Sequence, residues 1–598
     1  MIEVSSPLTG TVVRVAPVGT VVAAGDELVV IESMKMQHTV ASPEAGTVAA
    51  ALVAEGDLVQ AGDGIVVLAP GAGASVDAVA PTDTTPTERA DLAATRARHA
   101  VGLDAARPEA VERRRRTGQR TARENVAHLL DDGSFVEYGP LVVAAQRRRR
   151  ELQDLIERTP ADGLVGGIGT VAGRSVVVMS YDYMVLAGTQ GLQNHRKKDR
   201  LFEVAERQRL PVVLFAEGGG GRPGDTDGVG VSGLDCMAFH LFGRLSGLVP
   251  LVGIASGRCF AGNAALLGCC DVVIATDGTN IGMGGPAMVE GGGLGVFPPE
   301  SIGPMDVQVS NGVVDVAVLD EAAAVEAAQQ YLAYFNGPCE GWTAPDPIGA
   351  RRVIPENRLE VYDVHAAVDA LADVGSVLEL RRAFGPGMVT VLARVEGRPL
   401  GIIANNPLHL AGAIDADGAD KAARFMQLCD AFDLPLLFLC DTPGIMVGPA
   451  AEQTALVRHV GRLFVTGANL TVPTGTIILR KGYGLGAQAM AGGSFKAPLF
   501  CVAWPTGELG GMGLEGAVRL GYRKELDAIG DPAERERTFA EMVERMYEHG
   551  QALNAASHFE IDDVIDPADS RRWISHVFAT APAPGPRTAK KRANIDTW

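Results

Sequence analysis

The sequence predicts an α/β protein with a small all-β domain at its start and two similar α/β domains after it. Two internal duplications and an abundance of glycine support this organisation. Residues 1–70 repeat a short Val-rich unit, and the remainder repeats a longer unit of apolar strand, Gly-rich turn and small-residue helix. The chain has 73 glycines among 598 residues, which is too many for an all-helical protein.

The first duplication lies in residues 1–70. Ser-Pro-Leu-Thr-Gly-Thr-Val at 6–12 recurs as Ser-Pro-Glu-Ala-Gly-Thr-Val at 42–48, and Val-Ala-Ala-Gly-Asp at 22–26 recurs as Val-Gln-Ala-Gly-Asp at 59–63. Val-rich runs predict short strands, and Gly-Asp predicts tight turns. The repeat therefore predicts a pseudo-symmetric β-sandwich with Lys35 between its two copies, on a hairpin turn.

Lys35 lies between two methionines in Glu32-Ser33-Met34-Lys35-Met36. Exposed methionines are unusual, because this flexible apolar side chain normally fills gaps in a core. Together with the repeat, the stretch resembles the biotinyl domain of biotin carboxyl carrier proteins. The resemblance implies that Lys35, flanked by Met34 and Met36, carries biotin attached by a biotin protein ligase. The alternatives are a lipoyl domain, whose hairpin usually has an acidic residue before the lysine and a small one after it, and an unmodified relative.

Residues 71–90 lack apolar periodicity and are rich in Gly, Ala, Thr and Pro. This composition is typical of a flexible linker. About 20 such residues have a root-mean-square span of about 25 Å. Such a linker suits a carrier that visits more than one active site.

The second duplication divides the remainder into residues 91–345 and 346–598. Leu-Pro-Val-Val-Leu-Phe-Ala-Glu-Gly at 210–218, for example, parallels Leu-Pro-Leu-Leu-Phe-Leu-Cys-Asp-Thr at 434–442. Apolar runs of this length between helices predict a mostly buried sheet. Two copies of one unit suggest two similar faces that together form one site.

Four Gly-rich turns follow predicted strands, at 218–222, 257–264, 441–444 and 481–487. Glycine allows a ligand to approach the backbone, and a helix that starts there points free N–H groups at it. Such groups suit the oxygen of a developing enolate. Tight turns between strands and helices also need glycine for structural reasons, so both interpretations stay open for any single turn.

Composition narrows the function classes. The net charge is −19, which disfavours non-specific binding to nucleic acid or to a membrane surface. The chain has no apolar run long enough to span a membrane, and it enters the carrier repeat at once, so we expect no signal or transit peptide. None of the eight cysteines forms a Cys-x-x-Cys pair, so we expect no metal site and a reducing, cytoplasmic location.

Several motifs in residues 91–598 resemble the biotin-dependent acyl-CoA carboxyltransferase family. They are Thr121-Ala122-Arg123-Glu124, Asp420-Lys421-Ala422-Ala423-Arg424-Phe425, Asp441-Thr442-Pro443-Gly444 and Lys591-Arg592-Ala593-Asn594-Ile595. The resemblance implies two crotonase-like domains, the first on the acyl-CoA side and the second on the carboxybiotin side. It also implies a homo-hexamer whose active site lies between the first domain of one subunit and the second domain of another.

On the acyl-CoA side, the resemblance implies that backbone N–H groups at Gly262 and Asn263 hold the thioester enolate oxygen. The turns at Gly188-Thr189 and Gly220 would contact coenzyme A. Lys197 and Lys198 would form a basic patch beside them, and the alternative for these lysines is a solvated helix face. Asn263 departs from the family, which often has Gly at this position.

On the biotin side, the resemblance implies that N–H groups at Leu485 and Gly486, in the turn that starts at Gly484, hold the ureido oxygen of biotin. Gln488 lies where relatives tune the size of the acyl pocket. Leu485 departs from the family, which has Gly or Ala there. A backbone donor survives such a change if the turn survives it.

The sequence thus predicts a carboxyltransferase that moves a carboxyl group from carboxybiotin on Lys35 to the α (or vinylogous) carbon of an acyl-CoA. The family's reaction needs no side-chain base. We interpret His195, His240 and His459 as structural, and Glu217 as a base only if the chain were a crotonase-type hydratase. Nothing in the sequence resembles an ATP-dependent biotin carboxylase, so we expect a separate subunit to supply that step.

Two alternative functions stay open from the sequence. One is a biotin-dependent acyl-CoA decarboxylase or transcarboxylase subunit, which would run or redirect the same transfer. The other is a biotinylated scaffold without turnover. Neither the identity of the acyl group nor the direction of the reaction can be read from the residues.

Overall fold

The computed structural model describes residues 1–71, 88–228, 231–582, 585 and 589–598. The chain forms two compact units, Met1–Ala93 and Ala94–Trp598. Most of the predicted linker at 71–90 lies outside the described residues. The predicted domain boundaries therefore stay a prediction.

The first unit is a sandwich of two four-stranded sheets, ordered β1-β8-β6-β3 and β5-β4-β2-β7. Its strands are β1 (Ile2–Ser5), β2 (Gly10–Val15), β3 (Val21–Val22), β4 (Glu27–Ser33), β5 (Met36–Ala41), β6 (Gly46–Ala51), β7 (Leu58–Val59) and β8 (Gly64–Pro70). Ser6 Oγ donates to Leu8 O and Ser42 Oγ to Glu44 O, over 2.6 and 2.7 Å. The two sequence copies thus make the same turn, and the predicted all-β sandwich is confirmed.

The first half of the second unit is built on a seven-stranded sheet in the order β17-β15-β13-β12-β11-β10-β9. The strands of that sheet are β9 (Val136–Glu137), β10 (Leu164–Val171), β11 (Arg174–Tyr181), β12 (Val212–Phe215), β13 (Leu251–Ala255), β15 (Val272–Thr276) and β17 (Val316–Val318), and a separate two-stranded sheet contains β14 (Arg258–Phe260) and β16 (Asn280–Gly282). Its helices are α1 (Ala90–Ala100), α2 (Pro108–Arg116), α3 (Ala122–Leu129), α4 (Leu152–Arg158), α5 (Leu192–Gln208), α6 (Ala238–Leu245), α7 (Gly262–Gly268), α8 (Pro286–Gly291), α9 (Met305–Ser310) and α10 (Glu321–Ala333). Strands β12, β13 and β15 are buried throughout, as expected of parallel strands covered on both faces.

The second half repeats this plan with the sheet order β18-β19-β20-β21-β22-β23-β25, and β24 pairs with β22. Its strands are β18 (Leu378–Glu379), β19 (Met388–Val395), β20 (Arg398–Asn405), β21 (Leu436–Thr442), β22 (Thr474–Tyr483), β23 (Phe500–Ala503), β24 (Glu508–Gly510) and β25 (Asp563–Val564). Its helices are α11 (His365–Leu371), α12 (Ala416–Ala431), α13 (Pro449–Glu452), α14 (Leu456–Ala468), α15 (Gly484–Ala489), α16 (Leu514–Gly521), α17 (Arg523–Asp527), α18 (Pro532–His549), α19 (Ala552–Ser557) and α20 (Ser570–Ala579).

The duplication extends to local conformation. Leu186-Ala187-Gly188 and Leu410-Ala411-Gly412 form short 3₁₀ turns in which Ala187 and Ala411 both have φ of 53°. A non-glycine residue adopts this left-handed conformation only where its surroundings impose it. The α/β class and the two similar halves are confirmed.

One core joins the two halves. It contains Val252 and Tyr331 from the first half and Phe425 and Phe438 from the second. Helix α12 is buried along almost its whole length, and Arg424 Nη2 on it donates to Asp271 O over 2.6 Å. Within the described ranges, no helix has both the length and the apolar character that a membrane span requires.

Candidate active site

Lys35 occupies the tip of the hairpin between β4 and β5. Ser33 pairs with Met36, so Met34 and Lys35 form a two-residue turn, with φ of 51° and 66°. Positive φ at both positions is the geometry that closes a two-residue hairpin. Met34 is 96% exposed and Met36 66% exposed. The turn therefore holds the lysine out in solvent between two exposed methionines, where a modifying enzyme can reach it.

The exposed amine fits a covalently attached cofactor. Lys35 is the only lysine in residues 1–70, and it is exposed at the end of the sandwich. Biotin is joined through an amide to such an amine and then reaches beyond the domain that carries it. Within the described ranges, no group of three or more His, Cys, Asp or Glu side chains is placed to hold a metal ion.

The glycine turn of the second half begins helix α15 directly after β22. The N–H groups of Leu485 and Gly486 lie in the first turn of this helix, where no earlier turn supplies an acceptor. A Cβ atom at Gly486 would lie 2.7 Å from Gly444 Cα and 2.8 Å from its carbonyl carbon. The two predicted turns at 441–444 and 481–487 thus pack backbone against backbone, and only glycine fits at Gly486.

A groove of about 1040 Å³ opens beside this turn. Leu485, which is 60% exposed, and Gln488 both line it. Its other lining side chains are mostly apolar and include Phe495, Leu509, Met512, Leu514, Met546 and Phe559. Gln488 thus lines the groove, where its side chain can influence which substrates fit.

The glycine turn of the first half lies at the start of α7, after β14. A Cβ atom at Gly220 would lie 2.5 Å from Ala261 Cβ and 3.3 Å from Gly262 N, so the turns at 218–221 and 261–263 touch. A Cβ atom at Gly188 would lie 2.6 Å from Glu217 O. The structure therefore brings together Gly188, Gly220 and Gly262, which lie far apart in sequence.

The side chain of Asn263 is buried among these turns. Its Nδ2 donates to Glu217 O over 2.6 Å and to Gly188 O over 3.2 Å. The residue that departs from the family's glycine therefore ties the three turns together. Its backbone N–H, like that of Gly262, lies in the first helical turn.

Lys197 and Lys198 do not form an exposed basic patch in this structure. Lys197 Nζ donates to Leu164 O and Ala161 O, and Lys198 Nζ donates to Tyr181 Oη over 2.9 Å. Both residues are buried, so the alternative interpretation as a solvated face is wrong for them. The apolar stems of both lysines follow the buried side of α5, whereas Arg196 and Arg200 on the same helix are exposed. A role in binding coenzyme A stays a prediction.

Buried carboxylates stand at matching strand ends in the two halves. Glu217, after β12, accepts from both terminal nitrogens of Arg114 over 2.7 and 2.6 Å. Asp441, in β21, accepts from Tyr362 Oη over 2.8 Å and pairs with Arg480 and Lys481 over 3.2 and 2.9 Å. Both carboxylates are neutralised by basic partners. Glu217 is thereby occupied by Arg114, which does not favour its use as a hydratase base.

Arg114 was not singled out from the sequence as a partner of Glu217. It lies in the run Arg113–Arg116 on α2. Arg114 is the one of these four arginines that is buried, and the sequence alone does not show which one that is. Gln190, which bonds to Asn263, was also missed, since no local motif marks it. Burial raises the pKa of Glu217 to about 7, although its pair with Arg114 opposes that shift.

The three histidines lie in different surroundings. His195 on α5 is half-buried, and burial lowers its pKa to about 4. His459 Nδ1 lies 2.6 Å from Asp420 Oδ2, and His240 is exposed. None is marked as a catalytic base by these contacts, and the expectation that the reaction uses no side-chain base stays a prediction.

Two family models match the chain. A carboxyl transferase domain matches residues 113–595, and a biotin-requiring enzyme domain matches residues 2–68. The 12S subunit of methylmalonyl-CoA carboxyltransferase from Propionibacterium freudenreichii subsp. shermanii is 33% identical over 503 residues, which cover 81% of this chain and 93% of that protein. The expected resemblance, including the biotin domain, is confirmed.

Two solved structures extend the comparison. A single-chain, multi-domain long-chain acyl-CoA carboxylase is 58% identical with a TM-score of 0.79, over 96% of this chain and 56% of that one. This chain thus spans about half the length of that enzyme. The transcarboxylase 12S crystal structure, described as a hexamer with methylmalonyl-coenzyme A bound, is 30% identical with a TM-score of 0.72, over 84% of this chain and 97% of that one.

Proposed function

Because the chain belongs to the carboxyl transferase domain family and carries a biotin-requiring domain, we propose that it is the carboxyltransferase component of an acyl-CoA carboxylase. It moves a carboxyl group from biotin on its own Lys35 to an acyl-CoA. The observation that carries this conclusion is the presence, in one chain, of an exposed Met-Lys-Met hairpin and two glycine turns in similar halves.

The second half receives the cofactor. Biotin on Lys35 would supply the carboxyl group, and its ureido oxygen would need hydrogen-bond donors during the transfer. The N–H groups of Leu485 and Gly486 are the donors proposed to hold that oxygen. A fixed donor aimed at developing charge contributes roughly 3–4 kcal/mol to a transition state. Gly486 keeps these donors in place because its backbone packs on Gly444.

The first half receives the acyl-CoA. The N–H groups of Gly262 and Asn263 are proposed to hold the thioester oxygen of the enolate. The α-proton would pass to biotin that has given up its carboxyl group, so this step would need no side-chain base. The turns at Gly188-Thr189 and Gly220 lie against this turn and are proposed to guide coenzyme A towards it. In this proposal Lys197 and Lys198 act from the buried face of α5, because both ammonium groups are buried.

We propose a long-chain acyl-CoA as the substrate. The neighbour with 58% identity is a long-chain acyl-CoA carboxylase. The groove beside Leu485 and Gln488, at about 1040 Å³, is at the upper end of the range of about 300–1,000 Å³ usual for ligand pockets, and its lining is largely apolar. Such a groove suits an alkyl chain better than a short acyl group.

The proposal includes partners. A separate ATP-dependent biotin carboxylase subunit would load Lys35, and a biotin protein ligase would modify it, in a cytoplasmic setting. A homo-hexamer is supported by the assembly described for the transcarboxylase neighbour. Large apolar side chains exposed on both halves are consistent with subunit contacts and include Met283, Leu294, Val296, Val447, Val457 and Val465.

The test is a carboxylation assay with labelled bicarbonate, ATP, the biotinylated chain and a purified biotin carboxylase. Acetyl-, propionyl- and palmitoyl-CoA are offered separately. We expect acid-stable label in acyl-CoA, with the highest kcat/KM for palmitoyl-CoA. Label that enters no acyl-CoA, although the carrier is loaded, would contradict carboxyl transfer to acyl-CoA. A preference for propionyl-CoA would contradict only the proposed chain length.

A transcarboxylase is the second candidate, because the 33% identical relative is a methylmalonyl-CoA carboxyltransferase. In that case methylmalonyl-CoA would load the carrier without ATP or a biotin carboxylase. Because that half-reaction is reversible, both candidates would label Lys35 from methylmalonyl-CoA. Only the transcarboxylase would then pass the label to an acceptor that is not a CoA thioester, and measuring that second transfer separates the two candidates.

A further inference from the structure

A series of buried polar side chains connects helix α5 to the turn at Gly262–Asn263, which we call the acyl-side turn. Lys198 Nζ donates to Gln190 Oε1 over 2.7 Å, and Gln190 Nε2 donates to Asn263 Oδ1 over 2.6 Å. Asn263 Nδ2 then donates to the carbonyl oxygens of Glu217 and Gly188. The side chains of Lys198 and Asn263 are fully buried, and Gln190 is nearly so.

The ammonium group fixes the direction of every bond in this chain. An ammonium has donors and no acceptor, so the amide oxygen of Gln190 has to face Lys198. Its NH₂ group therefore faces Asn263, whose oxygen accepts and whose own NH₂ faces the two carbonyl oxygens. A neutral side chain at Lys198 would leave both amides free to turn over.

The connected carbonyls belong to the turns that border Gly262. Gly188 O and Glu217 O each accept from the same amide nitrogen, and Gln190 N donates to Gly220 O over 2.7 Å. A reversed Asn263 amide would place its oxygen against both carbonyl oxygens and push the turns apart. The spacing of the three turns therefore depends on a charge located on α5.

The Lys198 ammonium is buried among uncharged polar partners. Both acceptors of the Lys198 ammonium, Tyr181 Oη and Gln190 Oε1, are uncharged groups. Burial lowers the pKa of Lys198 to about 7, whereas Asp199, Cys236 and Asp162 act in the opposite direction. Burying a cation without a charged hydrogen-bond partner costs stability. A function for the Lys198 ammonium would explain why the fold retains it.

We propose that Lys198 is a positioning residue for carboxyl transfer, which acts through Gln190 and Asn263 to set the geometry of the acyl-side turn. The inference rests on the proposed role of the Gly262–Asn263 turn. It gives Asn263, which departs from the family's glycine, a specific task. The second half has Ile414 and Ala422 at the positions that correspond to Gln190 and Lys198 in the duplication, so this device belongs to the acyl side alone.

Two variants test the proposal. Lys198→Met removes the charge and keeps the length of the side chain. Gln190→Glu keeps an acceptor for Lys198 but removes the donor to Asn263, so it breaks the chain while it gives the lysine a stronger partner. Arg207→Met, an exposed position on the same helix, is the matched control. Each protein is first checked for its thermal midpoint and for its loading by the biotin carboxylase.

The readouts are kcat and KM for acyl-CoA, and the loss of label from the loaded carrier without acyl-CoA. We expect kcat to fall at least tenfold in both variants, KM to change less than threefold, and label loss without acyl-CoA to match wild type. A folded Gln190→Glu or Lys198→Met protein with kcat within twofold of wild type would overturn the proposal. So would a loss of acyl-independent label release in the same proportion as kcat. If wild type itself transfers no label to acyl-CoA, the proposed function fails instead.

Discussion

The glycine turns of the two halves occupy matching places, yet different kinds of residue hold them in position. In the first half, Asn263 and Gln190 hold the turn through side-chain amides and a buried ammonium. In the second half, Gly486 packs its backbone directly on Gly444. Polar side chains can adjust over a few tenths of an ångström, whereas two backbones in contact cannot.

The difference fits the tasks proposed for the two turns. The Gly486 turn of the second half meets one cofactor ring, which is always the same, although the groove proposed for the alkyl chain lies beside it. The first half meets an acyl-CoA, whose binding has to be followed by a change of charge at the thioester oxygen. A rigid turn suits the first task, and a turn held by polar side chains that can shift by a few tenths of an ångström suits the second.

The largest effect is expected when the biotin attachment site is removed, because both halves then lose the cofactor at once. Lys35→Arg leaves no lysine in residues 1–70, so no side chain of the sandwich can form the amide bond to biotin. We expect loss of avidin binding and of all transfer to acyl-CoA, with the thermal midpoint unchanged because Lys35 is exposed. An avidin-positive Lys35→Arg protein would place the modified lysine elsewhere.

The next largest effect breaks the rigid turn. Gly486→Ala places a Cβ atom 2.7 Å from Gly444 Cα, which neither backbone can relieve without moving. The displaced N–H donors should lower kcat for transfer by about a hundredfold. Acyl-CoA binding, measured by calorimetry on the unloaded protein, should stay within about twofold of wild type. Loss of acyl-CoA binding in the same proportion as kcat would show that the Gly486 turn itself holds more than the cofactor.

The matched change in the first half should be milder. A Cβ atom at Gly262 would lie 3.1 Å from Gln190 Nε2 and 3.3 Å from Phe239 Cζ, which are side-chain atoms that can shift. Neither Gly262 nor Gly486 has a positive φ, so alanine tests space alone at both positions. We expect kcat for Gly262→Ala to remain within about tenfold of wild type. A larger loss than for Gly486→Ala would reverse the comparison.

The smallest effects concern the pH dependence of stability, through one histidine in each half. Burial lowers the pKa of His195 to about 4, so the unfolded chain binds its proton first and stability falls as pH drops from about 6.5 to 4. Glu379 and then Asp363 raise the pKa of His365 to about 9, against its burial, so its contribution is lost as pH rises from about 6.5 to 9. Thermal midpoints of His195→Gln and His365→Gln should lose the acid and the alkaline dependence respectively, by a few degrees. Parallel pH curves for wild type and both variants would contradict this.

Much of the architecture could be predicted because repeats are visible in sequence. The 6–12 and 42–48 copies specified the sandwich, and the 210–218 and 434–442 copies specified the paired sheets. Lys35 could be placed on a hairpin because it lies between the two sequence copies, where a two-residue turn joins β4 to β5. Thr121 and Glu124, read as part of a family motif, form the capping box that starts α3.

The contacts within the acyl-side turn could not be predicted, because they join residues far apart in the chain. Asn263 meets Gln190 and Gly188 across more than 70 intervening residues, and no local pattern records that meeting. The burial of Lys197 and Lys198 was missed because a run of charged residues on a helix normally indicates an exposed face. The roles assigned to Gly262, Asn263, Leu485 and Gly486 stay predictions.

The division of labour between the turns can be measured through the reaction that occurs without acyl-CoA. The carrier is loaded with labelled bicarbonate, freed of ATP, and followed for loss of label in wild type, Gly486→Ala and Gly262→Ala. We predict at least tenfold slower loss in Gly486→Ala and a rate within twofold of wild type in Gly262→Ala. Equal slowing in both variants, or slowing in Gly262→Ala alone, would contradict the assignment of the cofactor to the second half.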